Sequence, residues 1–243
     1  MNNELLLAAV RNNAEWCDAV CGARGVPGRF TEHLWLNEKQ TPPYYPNIIT
    51  LRPTSDALMR ELAAAITSVR DAVGDKLSIK DSYADIDLAA HSLDVLFDAQ
   101  WITRAGMLAP PVATARGVDW SIAGDDAGLD AWKAAWDAQI VAVDPIFAPS
   151  LLHDADIAFI AAHRDRAIVA GAIASRSAGV VGLSNVFTPV TESRAVWAGC
   201  IAATMAWAPG MPIVGYESGA DLATALEVGF ELLGPLRIWV ATR

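Results

Sequence analysis

The chain is poor in cysteine, poor in cations, and has no long apolar run. Its three cysteines, Cys17, Cys21 and Cys200, are too few, and odd in number, for a disulfide framework. Cys17 and Cys21 fall on one helix face and read as core residues rather than metal ligands. No zinc spacing is present, and the 4 histidines are scattered. Lys and Arg total 18 against 28 Asp and Glu, a formal net charge of −10. A phosphate backbone needs a basic footprint, so nucleic acid is not an expected partner. An anionic cofactor can still bind through local backbone dipoles. No apolar run approaches the ~20 residues of a membrane helix. The opening "MNNELLLAAVRNNAEW" has neither the basic start nor the apolar length of a signal peptide. A soluble, cytoplasmic protein with no membrane partner is the expectation. P-loop, dinucleotide and Gly-x-Ser-x-Gly fingerprints are also missing.

What remains is ample core material. The 243 residues are 53% hydrophobic and 19% charged, which suits one large globular domain or two small ones. Residues 3–23 read as a helix, with Leu6, Leu7, Val10, Ala14, Cys17 and Val20 at helical spacing. "EHLWLNE" reads as a short strand on which His33 and Trp35 alternate with Leu34 and Leu36, so that one pair faces the core. The prolines of "TPPYYP" exclude a central strand. Tyr44 and Tyr45 within it either line a pocket or cover a sheet edge. "NIITL" is the next strand, and "TSDALMRELAAAITSVRDAV" a helix with a Thr54/Ser55 cap. "KLSIKDS" predicts a strand, "YADIDLAAHS" a short helix and "LDVLFDAQWI" a long strand. The Gly, Pro and Ala-rich "TRAGMLAPPVATARGVDWSIAGDD" reads as a linker with some local order. "AGLDAWKAAWDAQ" is an amphipathic helix with Leu129, Trp132 and Trp136 on its core face. Three antiparallel strands follow, Ile157 to His163, Ala167 to Ser175 and Val180 to Phe187, turning at "RDR" and "SAG". Then come helix "SRAVWAGCIAATMAWA", strand "PIVGYES", helix "DLATALEVG" stopped by Gly229, and terminal strands in "FELLGPLRIWV".

The two halves share this order of parts. "NIITLRPTSD" lies over "NVFTPVTESR", matching Asn47 with Asn185, Thr50 with Thr188 and Ser55 with Ser193. "GDKLSIKDSYADIDLAA" lies over "GMPIVGYESGADLATAL", matching Ser82 with Ser218, Ala84 with Ala220 and Asp85 with Asp221, and setting Asp81 opposite Glu217. Either the chain is a duplication or two similar α/β layers match by coincidence. The first reading gives a truncated N-terminal unit, residues 1–115, and a full C-terminal unit, residues 116–243.

The stretch "GVVGLSNVFTPVTESRAVWAG" joins a strand to a helix through a short polar loop, an order that presents free backbone N–H groups to an anion. With the meander before it, "PIVGYES" after it and "ADLATALEVGFELLG" ending in Gly229-Phe230, residues 118–243 resemble the GNAT superfamily of N-acyltransferases. "ADIDLAAHSLDVLFDAQWI" is similar to a worn copy of the last segment, so the whole chain resembles a tandem GNAT protein with a truncated first unit. The resemblance implies an α+β fold, a mixed and mostly antiparallel sheet flanked by helices. It implies acetyl-CoA as cosubstrate, held by the backbone of Val186, Phe187 and Thr188. The pyrophosphate falls on Glu192, Ser193, Arg194, Ala195 and Val196. It also implies a small-molecule amine as acceptor, and a homodimer is a further expectation.

The sequence departs from the family pattern. Glu192 stands where the loop carries a basic or amide residue, Ser193 and Ala195 replace glycines, and Trp197 takes the last small position. A carboxylate beside a pyrophosphate is unfavourable unless it turns away, and Arg194 is the cation expected to offset it. The family's tyrosine acid falls on Ala225. Tyr216 and Glu217 are the substitutes the sequence offers, with Glu217 a general base if burial raises its pKa. Alternatively Glu217 pairs with an arginine and Tyr216 is a core-edge aromatic. Two functions therefore stand open: an N-acetyltransferase, or a degenerate GNAT fold kept as a binding or interaction module.

Overall fold

The computed structural model describes residues 2–111, 117–140, 146–189 and 192–242. The chain divides into two compact units. One runs to Trp101 and takes in the residues from Leu233 onward; the other spans Ile102–Leu232.

The first unit opens with helix α1 (Asn2–Ala23). Its strands are β1 (Arg29–Phe30), β2 (Leu34–Leu36), β3 (Ile48–Thr50), β4 (Ser78–Asp81) and β5 (Leu93–Arg104, as far as Trp101), with helix α2 (Asp56–Val73) between β3 and β4. The last strand of the chain, β11 (Glu231–Ala241), enters this unit at Leu233. The order is β1-β2-β3-β4-β11-β5. β3 and β4 are parallel, Ile48 facing Ile79, and β11 runs antiparallel to β4 with Trp239 facing Ile79.

α2 forms where the sequence leads one to expect it. Ser55 is extended and its side chain accepts the Leu58 N–H, capping the first turn. Leu58, Leu62, Ala65, Ile66 and Val69 then repeat at helical spacing and lie buried against Leu34, Leu36, Ile48, Ile79 and Trp239. Each fully buried leucine contributes roughly 2 kcal/mol. Two local expectations fail. Trp35, Leu34 and Leu36 are all buried, so both faces of β2 are covered, and the Trp35 indole donates to Asp18 Oδ1 (3.0 Å). The helix expected in "YADIDLAAHS" reduces to a 3-10 turn at Ala89–His91. Asp81 takes the N–H groups of Tyr83 and Ile86 and Asp87 that of Ala89, so side-chain oxygens outcompete helical carbonyls.

The second unit holds β6 (Asp119–Ile122), α3 (Asp126–Ile140), β7 (Ile157–Arg164), β8 (Ala167–Ser177), β9 (Val180–Phe187), α4 (Ser193–Trp207), β10 (Ile213–Glu217) and α5 (Gly219–Glu227). The order β10-β9-β8-β7-β6 is antiparallel except for the parallel pair β10 and β9. The end of β5 lies beside β10, with the Thr103 hydroxyl donating to Ile213 O (3.2 Å). β6 corrects the linker expectation. It pairs with β7, and its Trp120 ring packs where a Cβ on Gly199 of α4 would lie only 2.0 Å away. Residues 112–116 of that segment lie outside the described residues. The expected terminal strands prove to be the single β11.

Two packing devices fix this unit. Trp132 of α3 makes edge contacts with Phe147, Phe159 and Phe187. Its indole N–H crosses β8 to donate to Ile160 O (2.8 Å). Gly171 makes room, since a Cβ there would stand 2.5 Å from that same carbonyl. At the end of α5, Phe230 N–H bonds Ala225 O and Gly229 N–H bonds Leu226 O, with Gly229 at φ +93. This is a Schellman closure. It explains the Gly-Phe pair, and it places Ala225 and Phe230 in one core cluster. No helix of the described residues is long and apolar enough to cross a membrane.

Gly171→Ala is expected to cost about 2–3 kcal/mol by displacing Trp132 from its carbonyl. Urea unfolding followed by tryptophan fluorescence measures the loss.

Candidate functional site

β9 and β10 pair over only two residues, Val181 with Ile213 and Gly182 with Val214. At the next step Gly215 still approaches Leu183 O, where a Cβ would stand at 2.7 Å. Beyond that the ladder ends, although β9 runs on to Phe187 and β10 to Glu217. Past Gly182 β9 is paired on its β8 side alone, so alternate backbone N–H and C=O groups face the parting. β8 itself pairs through a bulge: Ile173 faces Ser184, yet Gly171 faces Phe187. The extra residue on β9 is absorbed at Asn185, which takes φ +52.

The strand then leads to the start of α4. Val190 and Thr191 lie outside the described residues; Glu192 N–H bonds Pro189 O (2.9 Å) and Thr188 Oγ1 donates to the same carbonyl. Among the described residues no side chain caps α4, so the N–H groups of its first turn and their dipole suit an external acceptor. Ser193 and Ala195 are half-buried, Arg194 is exposed, and Val196 is core. Phe187 is buried under Trp132, so only its backbone can serve a ligand. Glu192 is turned aside, its Oε2 2.7 Å from Arg164 Nη2 at the end of β7. That contact holds the Glu192 carboxyl below the usual range. The compensating cation is thus Arg164, not the expected Arg194. Sequence reading missed it because "RDR" shows a turn, not which helix the turn faces.

Strand alternation sends Glu217 and Tyr216 to opposite faces of β10. Glu217 is half-buried and has no arginine or lysine in salt-bridge contact among the described residues. Loss of hydration, and then the Asp221 carboxylate, push its pKa up to about 8. Ala225 is fully buried beneath Phe230 and offers no acid.

In the first unit the strand ends and the start of α2 are satisfied by side chains. Tyr83 OH bonds Leu51 O (3.1 Å) and Ser82 N–H bonds Thr50 Oγ1 (2.8 Å), joining the ends of β3 and β4. The Asp85 carboxylate takes the Thr54 N–H and hydroxyl at the entry to α2, and Ser55 caps that helix.

No family profile matches the sequence, and no curated protein is similar to it. Solved structures are. A GCN5-related N-acetyltransferase from Kribbella flavida superposes with a TM-score of 0.68 at 19% identity, covering 97% of this chain and 96% of its own. A putative GNAT-family acetyltransferase from Novosphingobium aromaticivorans gives 0.54 at 13%, covering 94% and 99%. A tandem GNAT protein from the clavulanic acid biosynthesis pathway gives 0.54 at 12%, covering 86% and 78%. The chain has the GNAT fold. The α+β architecture expected from the sequence holds.

Glu217 makes stability fall with pH. Its folded pKa stands above the unfolded value, so the native state keeps a proton that the unfolded chain releases between about pH 4.5 and 8. Asp81, raised to about 6 by burial, adds to the lower part of that window. Glu217→Gln is expected to remove the slope above pH 6, stabilising the protein by about 1–2 kcal/mol at pH 8.5. Urea midpoints at pH 5 and 8.5 test this.

Proposed function

We propose that the second unit binds acetyl-CoA and transfers its acetyl group to the amine of a small molecule. The observation that carries this reading is the contrast between the units. β9, its bulge and the start of α4 leave backbone donors open along one path, while the equivalent path in the first unit is closed by its own side chains. On this reading the chain is a tandem GNAT protein, divided by sequence near residue 115, whose first unit has lost its site.

The pantetheine arm would pair with the backbone of Val186, Phe187 and Thr188. The pyrophosphate would sit on Glu192, Ser193, Arg194, Ala195 and Val196, using helix N–H groups rather than glycines. Arg164 makes this tolerable by neutralising Glu192. Glu217 would take one proton from the amine nitrogen as that nitrogen attacks the thioester carbon. With a pKa of about 8 it is a matched acceptor for an amine near neutral pH. The C–S bond then breaks, and the thiolate takes a proton from Tyr216 on the other face of β10. An acid and a base on opposite faces suit an acceptor arriving on one side and a thiol leaving on the other. The non-catalytic alternative is favoured by one observation: Ala225, in place of a proton donor, is committed to the core.

Millimolar acetyl-CoA is expected to raise the unfolding temperature by several degrees, since a ligand in hundredfold excess over its Kd adds roughly 2.7 kcal/mol. Ser193→Trp and Arg194→Glu should shrink the shift with the fold intact. Arg164→Ala should weaken binding about tenfold, by releasing the Glu192 charge, while changing stability little, because the pair is partly exposed. No shift with the unaltered protein sinks the acyl-CoA reading. Turnover of an amine should rise with pH toward about 8 and be lost in Glu217→Gln; binding without any turnover points to the module.

A further inference from the structure

Ser184 stands out on β9. Its Oγ is buried and has no hydrogen-bond partner. Buried hydroxyls are nearly always paired, so an orphan calls for an explanation. Three other side-chain atoms of the described residues share this state: Ser82 Oγ, Trp197 Nε1 and Trp239 Nε1. Of the four, Ser184 alone belongs to a strand that borders the β9–β10 parting.

Its placement follows from register. Gly182 and Val214 form the last β9–β10 pair. Two residues further along each parallel strand stand Ser184 and Tyr216, across the parting from one another. Leu183 and Ile213 share the core cluster that contains Trp197, Cys200 and Ile201 of α4. By alternation Ser184 and Tyr216 point to the opposite face together. The bulge at Asn185 begins directly after Ser184, and bulges re-aim strand residues beside functional sites. An alanine would fill this position without an unsatisfied group. In the free protein the hydroxyl makes no hydrogen bond.

We propose that the Ser184 hydroxyl donates a hydrogen bond to a carbonyl oxygen of the acylated pantetheine chain where that chain passes between β9 and β10. This rests on the acyl-CoA reading above, and it adds a side-chain contact to a path otherwise made of backbone. Ser184 is then a binding residue for the acyl donor, partnered in bound protein and orphaned without it.

The test compares the unaltered protein with Ser184→Ala and Ser184→Thr, by thermal unfolding and by titration calorimetry with acetyl-CoA and with CoA. Ser184→Ala is expected to leave the free protein equally or more stable, because it removes an unsatisfied buried group. It should weaken acetyl-CoA binding about tenfold, the worth of one hydrogen bond. Ser184→Thr, which keeps the hydroxyl, should restore much of the affinity. A loss seen with both ligands places the contact on a pantetheine amide carbonyl. A loss confined to acetyl-CoA places it on the thioester carbonyl. Equal affinity of Ser184→Ala and the unaltered protein overturns the proposal while the acyl-CoA reading stands. A free Ser184→Ala protein that is clearly less stable overturns it too, by giving Ser184 a structural role. Absence of acetyl-CoA binding by the unaltered protein overturns both.

Discussion

A buried backbone must place its N–H and C=O groups somewhere, and the parallel pair of β9 and β10 leaves that demand unmet. The ladder between them lasts two residues, after which the two strands do not pair with each other among the described residues. In most sheets such groups find another strand. Here the bulge at Asn185 and the Gly215 approach to Leu183 hold the two strands together at one point and apart beyond it. The rest of the second unit fixes that geometry: the meander sets the angle of β9, Trp132 anchors its far end through Phe187, and the Schellman closure of α5 covers the core behind β10.

The alignment of the two halves sets similar residues in two different surroundings. Asp81 and Glu217 align in sequence, and both carboxyls lie in places that raise their pKa. Asp81 spends its oxygens on the N–H groups of its own loop; Glu217 has no cation in salt-bridge contact among the described residues. Asp85 and Asp221 align too. Asp85 bonds Thr54 at the entry to α2, whereas Asp221 stays exposed on the first turn of α5 and only adds charge near Glu217. Similar residues at similar places thus close one unit and leave the other open. Shared fold does not decide function; the satisfaction of particular polar groups does.

Much of the architecture was legible because it is written in periodicity. α1, α2, α3 and α4 follow apolar spacing, the Ser55 cap is a local signal, and the β7–β8–β9 meander shows alternating strands with turn residues between. Asp165-Arg166 and Ala178-Gly179 take positive φ at those turns, as hairpins require. What failed was set by distant partners. β6 is short and looks like linker, and it becomes a strand because β7 offers an edge and Gly199 accepts Trp120. The segment after β4 lost its helix to Asp81 and Asp87. At the site, family likeness pointed to β9 and the start of α4, where the uncapped turn is found. Neither the Glu192–Arg164 contact, the Asn185 bulge nor the Ser184 orphan leaves a trace in local sequence, since each depends on strand register.

These features share an energetic sign. A helix start with no side-chain cap among the described residues forgoes about 1 kcal/mol. A residue at positive φ without being glycine carries strain. A carboxyl held protonated near pH 7, and a buried hydroxyl without a partner, each lower the stability of the free protein. All four occur along β9, β10 and the start of α4. In the first unit Ser55 caps α2 and Tyr83 bonds Leu51 O, so its helix start and strand ends are satisfied by its own side chains. The first unit has comparable features, at Ser82 Oγ, Trp239 Nε1, Asp81 and the positive φ of Tyr44, Ala84 and Ser92; what sets the second unit apart is that a hydroxyl, a carboxyl and a helix start fall along one path. That is the physical ground on which the proposed site is put in the second unit. It holds whichever of the two functions, transfer or binding alone, the bound state serves.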